Sequence, residues 1–532
     1  VRRGVDTEVD VPLLPGMVVE RRQGSRVKEP RKMYVLAGLS SPSDIRVHNN
    51  TLVNMVRALA ERVLYSRDAA GNYVEKLRPQ PGLINARLRR FGRLVASACV
   101  APPIVNLADV PGLYFGRKRT QAQQAVDSLM LEPIRARDAR ARPFVKGNEK
   151  REMMEDPWTS IRSLDPVPRL IQCRCPRYVV SCARFLKLLE KPIYKAIEKI
   201  WGEVTVSKGL NADETGQLSH DKFMRYTDCV IVGLDASKFD KHVSVEMLQW
   251  EHSVYLEIFK HDEELSKLLS WQLYNRGKGV TPDGTVRYTV DGCRMSGDIN
   301  TSLGNCLIMC AMVYAYCREI GVKASLLNNG DDCSVFMERR DYRRFSEGLE
   351  GWFAGMGFPM VVEPPVSVLE KLSFCQTQPV LVNGKYRMVR HPQVAAAKDC
   401  RTVVDISTEK ACRKWALAVG DCGAALCDGV PVSRAYYACM QRFGAGAHSR
   451  IREATGMESG MEFMSRRMSD VGLEVTESTR YSFWLAFGIM PDLQREMESY
   501  YDAYRLEYSA PTPVDDLTTS SQNGSPPLLW LY

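Results

Sequence analysis

The run Cys229-Val-Ile-Val-Gly-Leu234 ends in Asp235, with a second carboxylate at Asp240. It is short, uncharged and rich in β-branched residues, the pattern of a buried strand. Farther along, two short apolar runs, 324–327 and 333–337, flank Asn329-Gly330-Asp331-Asp332. Glycine permits a tight turn there, and two adjacent carboxylates sit at its tip. Each signal is weak alone. Asp235 could cap a helix, Gly-Asp-Asp could be a solvated hairpin turn, and about one random chain in ten of this length contains that tripeptide. Together they place three carboxylates at the ends of buried strands. Converging there, they form an oxygen-rich site for hard divalent cations. Two such cations serve nucleotidyl transfer, one at the attacking 3′-hydroxyl and one at the triphosphate and leaving pyrophosphate.

Between the two acidic signals lies Ser296-Gly297-Asp298-x-x-Thr301-x-x-x-Asn305. Small residues open it, and a helix follows over about 301–320. Thr301 and Asn305 are four apart and share a helix face. A capped helix start would explain the Ser and Asp alone. The order and spacing of all three segments make coincidence a poor explanation.

The rest of the chain reads as mixed helix and strand. Residues 1–45 are Pro-, Gly- and Arg-rich and read as extended or loop. Helical spacing is present over 51–64, 182–200, 243–273, 341–356, 408–427, 431–442 and 481–508. A short β-rich unit is expected over 169–180, a turn at Thr281-Pro-Asp-Gly284, and a hairpin split by Asn383-Gly384. The Pro-, Ser- and Thr-rich stretch from Ser509 reads as disordered.

Charge is unevenly spread. The chain carries +9 overall. Residues 1–200 hold 37 basic and 20 acidic side chains, whereas 201–532 hold 35 and 43. A basic front part suits a polyanionic partner, though a lysine- and arginine-rich surface alone would look the same. None of the sixteen cysteines forms a Cys-x-x-Cys pair, and the seven histidines are not at zinc-ligand spacing. Reduced, mostly buried thiols are expected. The apolar-rich run 299–317 contains Asn300, Thr301, Ser302, Gly304 and Asn305 and is no membrane span. The first residue is Val1, which suggests trimming or the downstream part of a longer product.

The ordered set Asp235-x4-Asp240, Ser296-Gly-Asp-x-x-Thr301-x3-Asn305 and Gly330-Asp-Asp332 resembles motifs A, B and C of viral RNA-dependent RNA polymerases, with flanks similar to the tombusvirus, carmovirus and umbravirus group. Phe374-Cys-Gln376 before Pro379-Val380 resembles motif E. Phe144-Val-Lys146, Pro168-Arg-Leu-Ile-Gln172 and Pro176-Arg-Tyr178 resemble motif F, and Tyr114-x-Gly116-Arg-Lys-Arg119 resembles the basic stretch upstream of it. The resemblance runs from about 47 to about 490.

It implies an α/β (α+β) right hand: fingers, a palm of antiparallel sheet packed on helices, and a mostly helical thumb. The implied parts are an N-terminal extension at 1–90, fingers at 91–225, palm at 226–260, a fingers insertion at 261–293, palm again at 294–390, thumb at 391–508 and a tail at 509–532. It implies that Asp235, Asp331 and Asp332 hold Mg²⁺, with Mn²⁺ as a substitute and Asp332 the least essential ligand. Asp240 and Asn305 would sense the ribose, with Ser296 and Thr301 beside the nucleotide. Gly297 would let the loop move against RNA. Lys146 and Arg169 would meet the triphosphate. Arg117, Lys118, Arg119, Arg174 and Arg177 would face RNA. One departure stands out: the stretch Gly357-Phe-Pro-Met-Val-Val-Glu-Pro-Pro365 lacks the basic residue that related enzymes carry after motif C, so the general acid is unassigned.

Two other readings compete. A reverse transcriptase shares the palm, but usually carries an aromatic before x-Asp-Asp and a bulky gate where polar Asp240 stands. An inactive RNA-binding scaffold would not need all three carboxylates. The partners implied are viral template and nascent RNA, NTPs and an upstream viral replication protein. The location implied is the host cytoplasm, with membranes reached only indirectly, through that partner or through sequence preceding Val1.

Overall fold

The computed structural model describes residues 1–24, 29–36, 38–39, 45–147, 150–151, 165–447 and 460–511. The expected tail lies, from 512 onward, outside the described residues. The architecture is mixed helix and strand, as expected.

A four-stranded sheet occupies the middle. Its strands are β1 (Cys229–Ala236), β2 (Ser325–Asn329), β3 (Asp332–Glu338) and β4 (Met360–Val362), in the order β2-β3-β1-β4. All neighbours are antiparallel. The apolar run of β1 explains its central place. Val230, Val232 and Leu234 enter one hydrophobic core, while Cys229 and Ile231 enter another on the opposite face. Two helices fill the first core: α1 (Val245–Ile258), capped by Ser244, and α2 (Thr301–Ile320). The middle of α2 is buried on every side, from Leu303 to Val313, which accounts for its lack of charge. Helices Leu83–Ala98, Pro176–Leu186 and Glu190–Trp201 pack around this pair.

A second assembly begins at the hairpin Thr377–Val382/Lys385–Arg390. Asn383 and Gly384 both have positive φ, the conformation of a type I′ turn. Helices Glu409–Leu426, Ser433–Gly444, Glu477–Phe487 and Pro491–Ala503 follow, around Trp415, Tyr436, Tyr437 and Phe483.

The front of the chain is less loop-like than expected. Met17–Arg21 adds a third strand to the hairpin Tyr274–Thr281/Gly284–Asp291. Lys32–Val35 pairs with Arg2–Arg3 on one side and Arg401–Thr402 on the other. Met17 and Val19 pack against the core beneath the first hairpin, whereas Tyr34, Leu36 and Leu39 lie in the C-terminal helical core.

Several expected helices are broken. The 51–64 segment is α-helical to Leu59 and finishes in a π-turn. The 341–356 segment splits at Gly348, and 481–508 splits at Gly488, both in the left-handed region. The 169–180 unit is a strand only over Leu170–Cys173, and Pro176 starts a helix. Among the described residues no helix is long and apolar enough to cross a membrane. None of the sixteen cysteines, all among the described residues, is in a disulfide, and twelve are buried.

Candidate active site

The hairpin between β2 and β3 turns at Gly330, whose φ of 77° is costly for any side chain. Buried Asn328 braces the turn: its amide donates to the Gly330 carbonyl at 2.7 Å, and its side-chain oxygen accepts from the Gly330 N–H. Asp331 projects at the tip and is exposed. Asp332 starts β3, and the β1–β3 register sets it directly opposite Asp235. The two expected acidic segments therefore meet at one end of the sheet.

The electrostatics follow from crowding. Asp235 is accessible, yet its carboxyl is pushed above the usual aspartate value by lost hydration and then by the Asp331 charge. Asp332 is raised by burial and by both neighbouring aspartates, against two contacts from Cys375: its N–H, which donates to Asp332 Oδ2 at 2.8 Å, and its thiol. Glu363 adds a fourth carboxylate. It is raised by burial, Asp332 and Asp235, and it lies against Gly233, where a Cβ would sit 1.9 Å from Glu363 Oε2.

The donor set suits a hard divalent cation: all oxygen, anionic, and destabilised by its own repulsion. Among the described residues no three His, Cys, Asp or Glu side chains close into one coordination sphere.

Beside the carboxylates stands an amide–carboxylate pair. Asn305, one turn into α2, donates from Nδ2 to Asp240 Oδ1 at 2.9 Å. Burial raises the pKa of Asp240, while the Asn305 bond and the Arg294 charge oppose that rise and Asp331 adds to it. The loop before α2 is stitched to strand Leu170–Cys173. Ser296 Oγ accepts from the Gln172 N–H at 3.1 Å, and the Gly297 N–H donates to the Gln172 carbonyl at 3.0 Å. A Cβ on Gly297 would meet that carbonyl oxygen at 2.6 Å, so glycine is needed here for close approach. Thr301 spends its hydroxyl on the Met295 carbonyl at 2.8 Å, securing the loop from the other side.

Lys146 and Arg169 lie at one end of the ladder between Arg142–Val145 and Leu170–Cys173, where the Lys146 N–H bonds the Arg169 carbonyl at 2.9 Å. Two other expected channel residues point inward instead. Arg174 is buried, gripping both oxygens of Asp298 and bonding Asn275 and the Ala139 carbonyl. A guanidinium so committed cannot face RNA, and the expectation for Arg174 is corrected. Arg177 is likewise engaged, with Asp138, Ser128 Oγ and the Glu132 and Pro133 carbonyls. Arg117, Lys118 and Arg119 are exposed in the first turn of helix Gly116–Leu131.

Sequence reasoning missed several residues. Arg294 and Glu251 form a buried pair behind Asn305. The Cys375 amide holds Asp332, and Asn328 holds the turn. Phe115, 79% exposed, stands two residues before the Arg-Lys-Arg cluster, an aromatic next to cations. That pattern was legible, since an aromatic beside three basic residues is a nucleic-acid signal.

A strand end and a hairpin turn that bring three carboxylates together, with a carboxylate–amide pair alongside, are the makings of a nucleic-acid polymerase. A family profile described as viral RNA dependent RNA polymerase matches residues 18–509. The chain belongs to that family. It is 40% identical over 474 residues to the RNA-directed RNA polymerase of maize chlorotic mottle virus, covering 89% of this chain and 48% of that protein. It is 38% identical to the RNA-directed RNA polymerase of tobacco necrosis virus strain A, covering 99% of this chain and 71% of that one. Against that of turnip crinkle virus it is 38% identical, covering 90% and 60%. The chain thus spans about half the length of the maize virus protein.

Proposed function

We propose that this chain is the polymerase portion of a positive-strand RNA virus replicase, copying an RNA template from NTPs. The observation that carries the reading is the register of Asp235 opposite Asp332, with Asp331 at the adjoining turn and the Asp240–Asn305 pair beside it. Asp235, Asp331 and Asp332 are the residues to hold Mg²⁺, or Mn²⁺ in its place. Bound there, the cations supply activation of the 3′-hydroxyl and neutralisation of the triphosphate. The protein's own share is positional. Gly330 and Asn328 fix the turn, and the Cys375 amide holds Asp332. Asp240 and Asn305 present an acceptor and a donor to a 2′-hydroxyl, which a deoxynucleotide would leave unpaired.

In this reading 226–260 and 294–390 are palm, 91–225 and 261–293 fingers, and 391–508 thumb. Lys146 and Arg169 face the triphosphate, while Phe115, Arg117, Lys118 and Arg119 meet RNA. The placement of those three cations supports this. All three are exposed in the first turn of helix Gly116–Leu131, and an anion such as an RNA phosphate is favoured at a helix N-terminus by about 0.3–1 kcal/mol. The enzyme acts in the host cytoplasm, reaching membranes through a viral replication protein.

Primer extension on an RNA template tests the reading. Wild type should extend with rNTPs and Mg²⁺, and Asp331→Ala should not, while RNA binding persists. Extension by Asp331→Ala at the wild-type rate would reject the assignment, and a preference for dNTPs would make the chain a reverse transcriptase.

A further inference from the structure

We propose that Arg294 and Glu251 are positioning residues for ribose selection: their buried ion pair sets which way the Asn305 amide faces. The proposal rests on the reading of Asp240 and Asn305 as the ribose sensor.

Arg294 and Glu251 are both buried, at 1% and 0% exposure. The terminal guanidinium nitrogens hold both Glu251 oxygens, Nη1 to Oε1 at 3.2 Å and Nη2 to Oε2 more closely. Burial alone would lower the pKa of Arg294; the Glu251 carboxylate outweighs it and keeps the guanidinium charged. The third guanidinium nitrogen, Nε, reaches Asn305 Oδ1 at 3.0 Å. On the amide's other side, Nδ2 donates to Asp240 Oδ1 at 2.9 Å.

Asn305 is thus caught between a group that can only donate and one that, ionised, can only accept. Turning the amide over would set N–H against N–H and oxygen against oxygen, losing both bonds. The held orientation leaves one N–H of Asn305 and Oδ2 of Asp240 without a protein partner among the described residues. A ribose 2′-hydroxyl needs that complement, one donor and one acceptor.

The surroundings are built for this pair. Glu251 also accepts from Tyr255 Oη at 2.6 Å and from Asn300 Nδ2 at 3.0 Å. The Arg294 N–H bonds the Asp240 carbonyl at 2.8 Å, tying the pair to the second sensor residue. Gly304 precedes Asn305 inside α2, where glycine costs a helix stability. A Cβ there would sit 2.3 Å from Arg294 Nη2 and 2.3 Å from Glu251 Oε1. A buried ion pair is weak evidence for stability, because apolar residues of equal volume often serve as well. Orientation of Asn305 gives this one a role.

The test compares kcat/KM for rNTPs and 2′-dNTPs in purified full chain, with melting temperatures taken for every variant. Arg294→Lys keeps a cation for Glu251 but loses the Nε–H that orients Asn305. Its rNTP-over-dNTP ratio should fall about fivefold or more, through poorer use of rNTPs, while incorporation of dNTPs holds. A double Arg294→Met, Glu251→Met variant removes both charges together and should relax selectivity at least as far. Asn305→Ala is the reference. If it leaves discrimination unchanged, the sensor reading itself fails. If Asn305→Ala relaxes discrimination while a folded Arg294→Lys or double-methionine variant retains the wild-type ratio, the positioning role is overturned.

Discussion

Asp235→Asn should make the metal-free protein more stable while abolishing extension. Asp235 stands opposite Asp332 in the ladder, and Asp331 adjoins them. Cross-strand partners have Cα atoms about 4.5–5.5 Å apart, which sets the two carboxylates about 6 Å apart. Unit charges at that separation repel by about 0.7 kcal/mol at the dielectric of water and about 3 kcal/mol at a dielectric near 20. Asp235 is accessible, so screening favours the lower limit, about 1 kcal/mol. Unfolding entropy near 2 cal/mol/K per residue, over about 500 residues, converts this to a rise in Tm of about 1 °C. Saturating Mg²⁺ should reverse the order. A cation at a hundred times its Kd stabilises wild type by about 2.7 kcal/mol and the variant by less. Because the folded-state pKa of Asp235 is raised, the folded protein binds its proton before the unfolded chain does. The destabilisation is therefore present at neutral pH and disappears as pH falls, so the gap in EDTA should narrow on acidification. High salt should narrow it too. Thermal scans of both proteins, in EDTA and in Mg²⁺ across pH, are the assay. A variant that melts below wild type in EDTA at pH 7.5 would refute the repulsion argument. Equal stabilisation of both proteins by Mg²⁺ would refute Asp235 as a ligand.

Asp240→Ala should narrow rNTP-over-dNTP discrimination by about ten- to a hundredfold, the value of a lost polar contact of about 1–3 kcal/mol; steady-state incorporation of each nucleotide checks it. Replacing Arg117, Lys118 and Arg119 together should weaken RNA binding and flatten the plot of log affinity against log salt by up to about three units; an unaltered slope would leave the cluster a solvated surface. Gly297→Ala should destabilise the protein by about 1–3 kcal/mol, since its Cβ would press on the Gln172 carbonyl at 2.6 Å; a melting curve matching wild type would mean that the loop gives way. Asp298→Ala strips the buried Arg174 of its carboxylate and should cost about 3–5 kcal/mol, read by denaturant unfolding.

What the sequence makes legible is local. The β-branched run 229–234 announces β1, and the helix expected over 301–320 is α2 itself. Asn383-Gly384 marks its own hairpin because both residues accept positive φ. The carboxylates are legible for the same reason, each standing at the end of an element with a strong signature. Contacts across long separations are not. Arg294 and Glu251 are 43 residues apart, and nothing in either neighbourhood distinguishes a buried pair from two surface charges. Arg174 misleads in that way: it follows a strand in a basic region, yet its carboxylate partner comes from 124 residues downstream. The strand Met17–Arg21 is hidden too, because its alternation is short and its partner is the hairpin at 274–291.

The path of the first fifty residues has a mechanical consequence. One part is woven into the hairpin at 274–291 and another into the C-terminal helical assembly at Arg401–Thr402, so the chain acts as a belt across the molecule. Pulling those two regions apart would load ladders of only a few residues edge to edge, and the belt would yield by unzipping them rather than by stretching. Separation of the two assemblies is thereby coupled to the breaking of those short ladders.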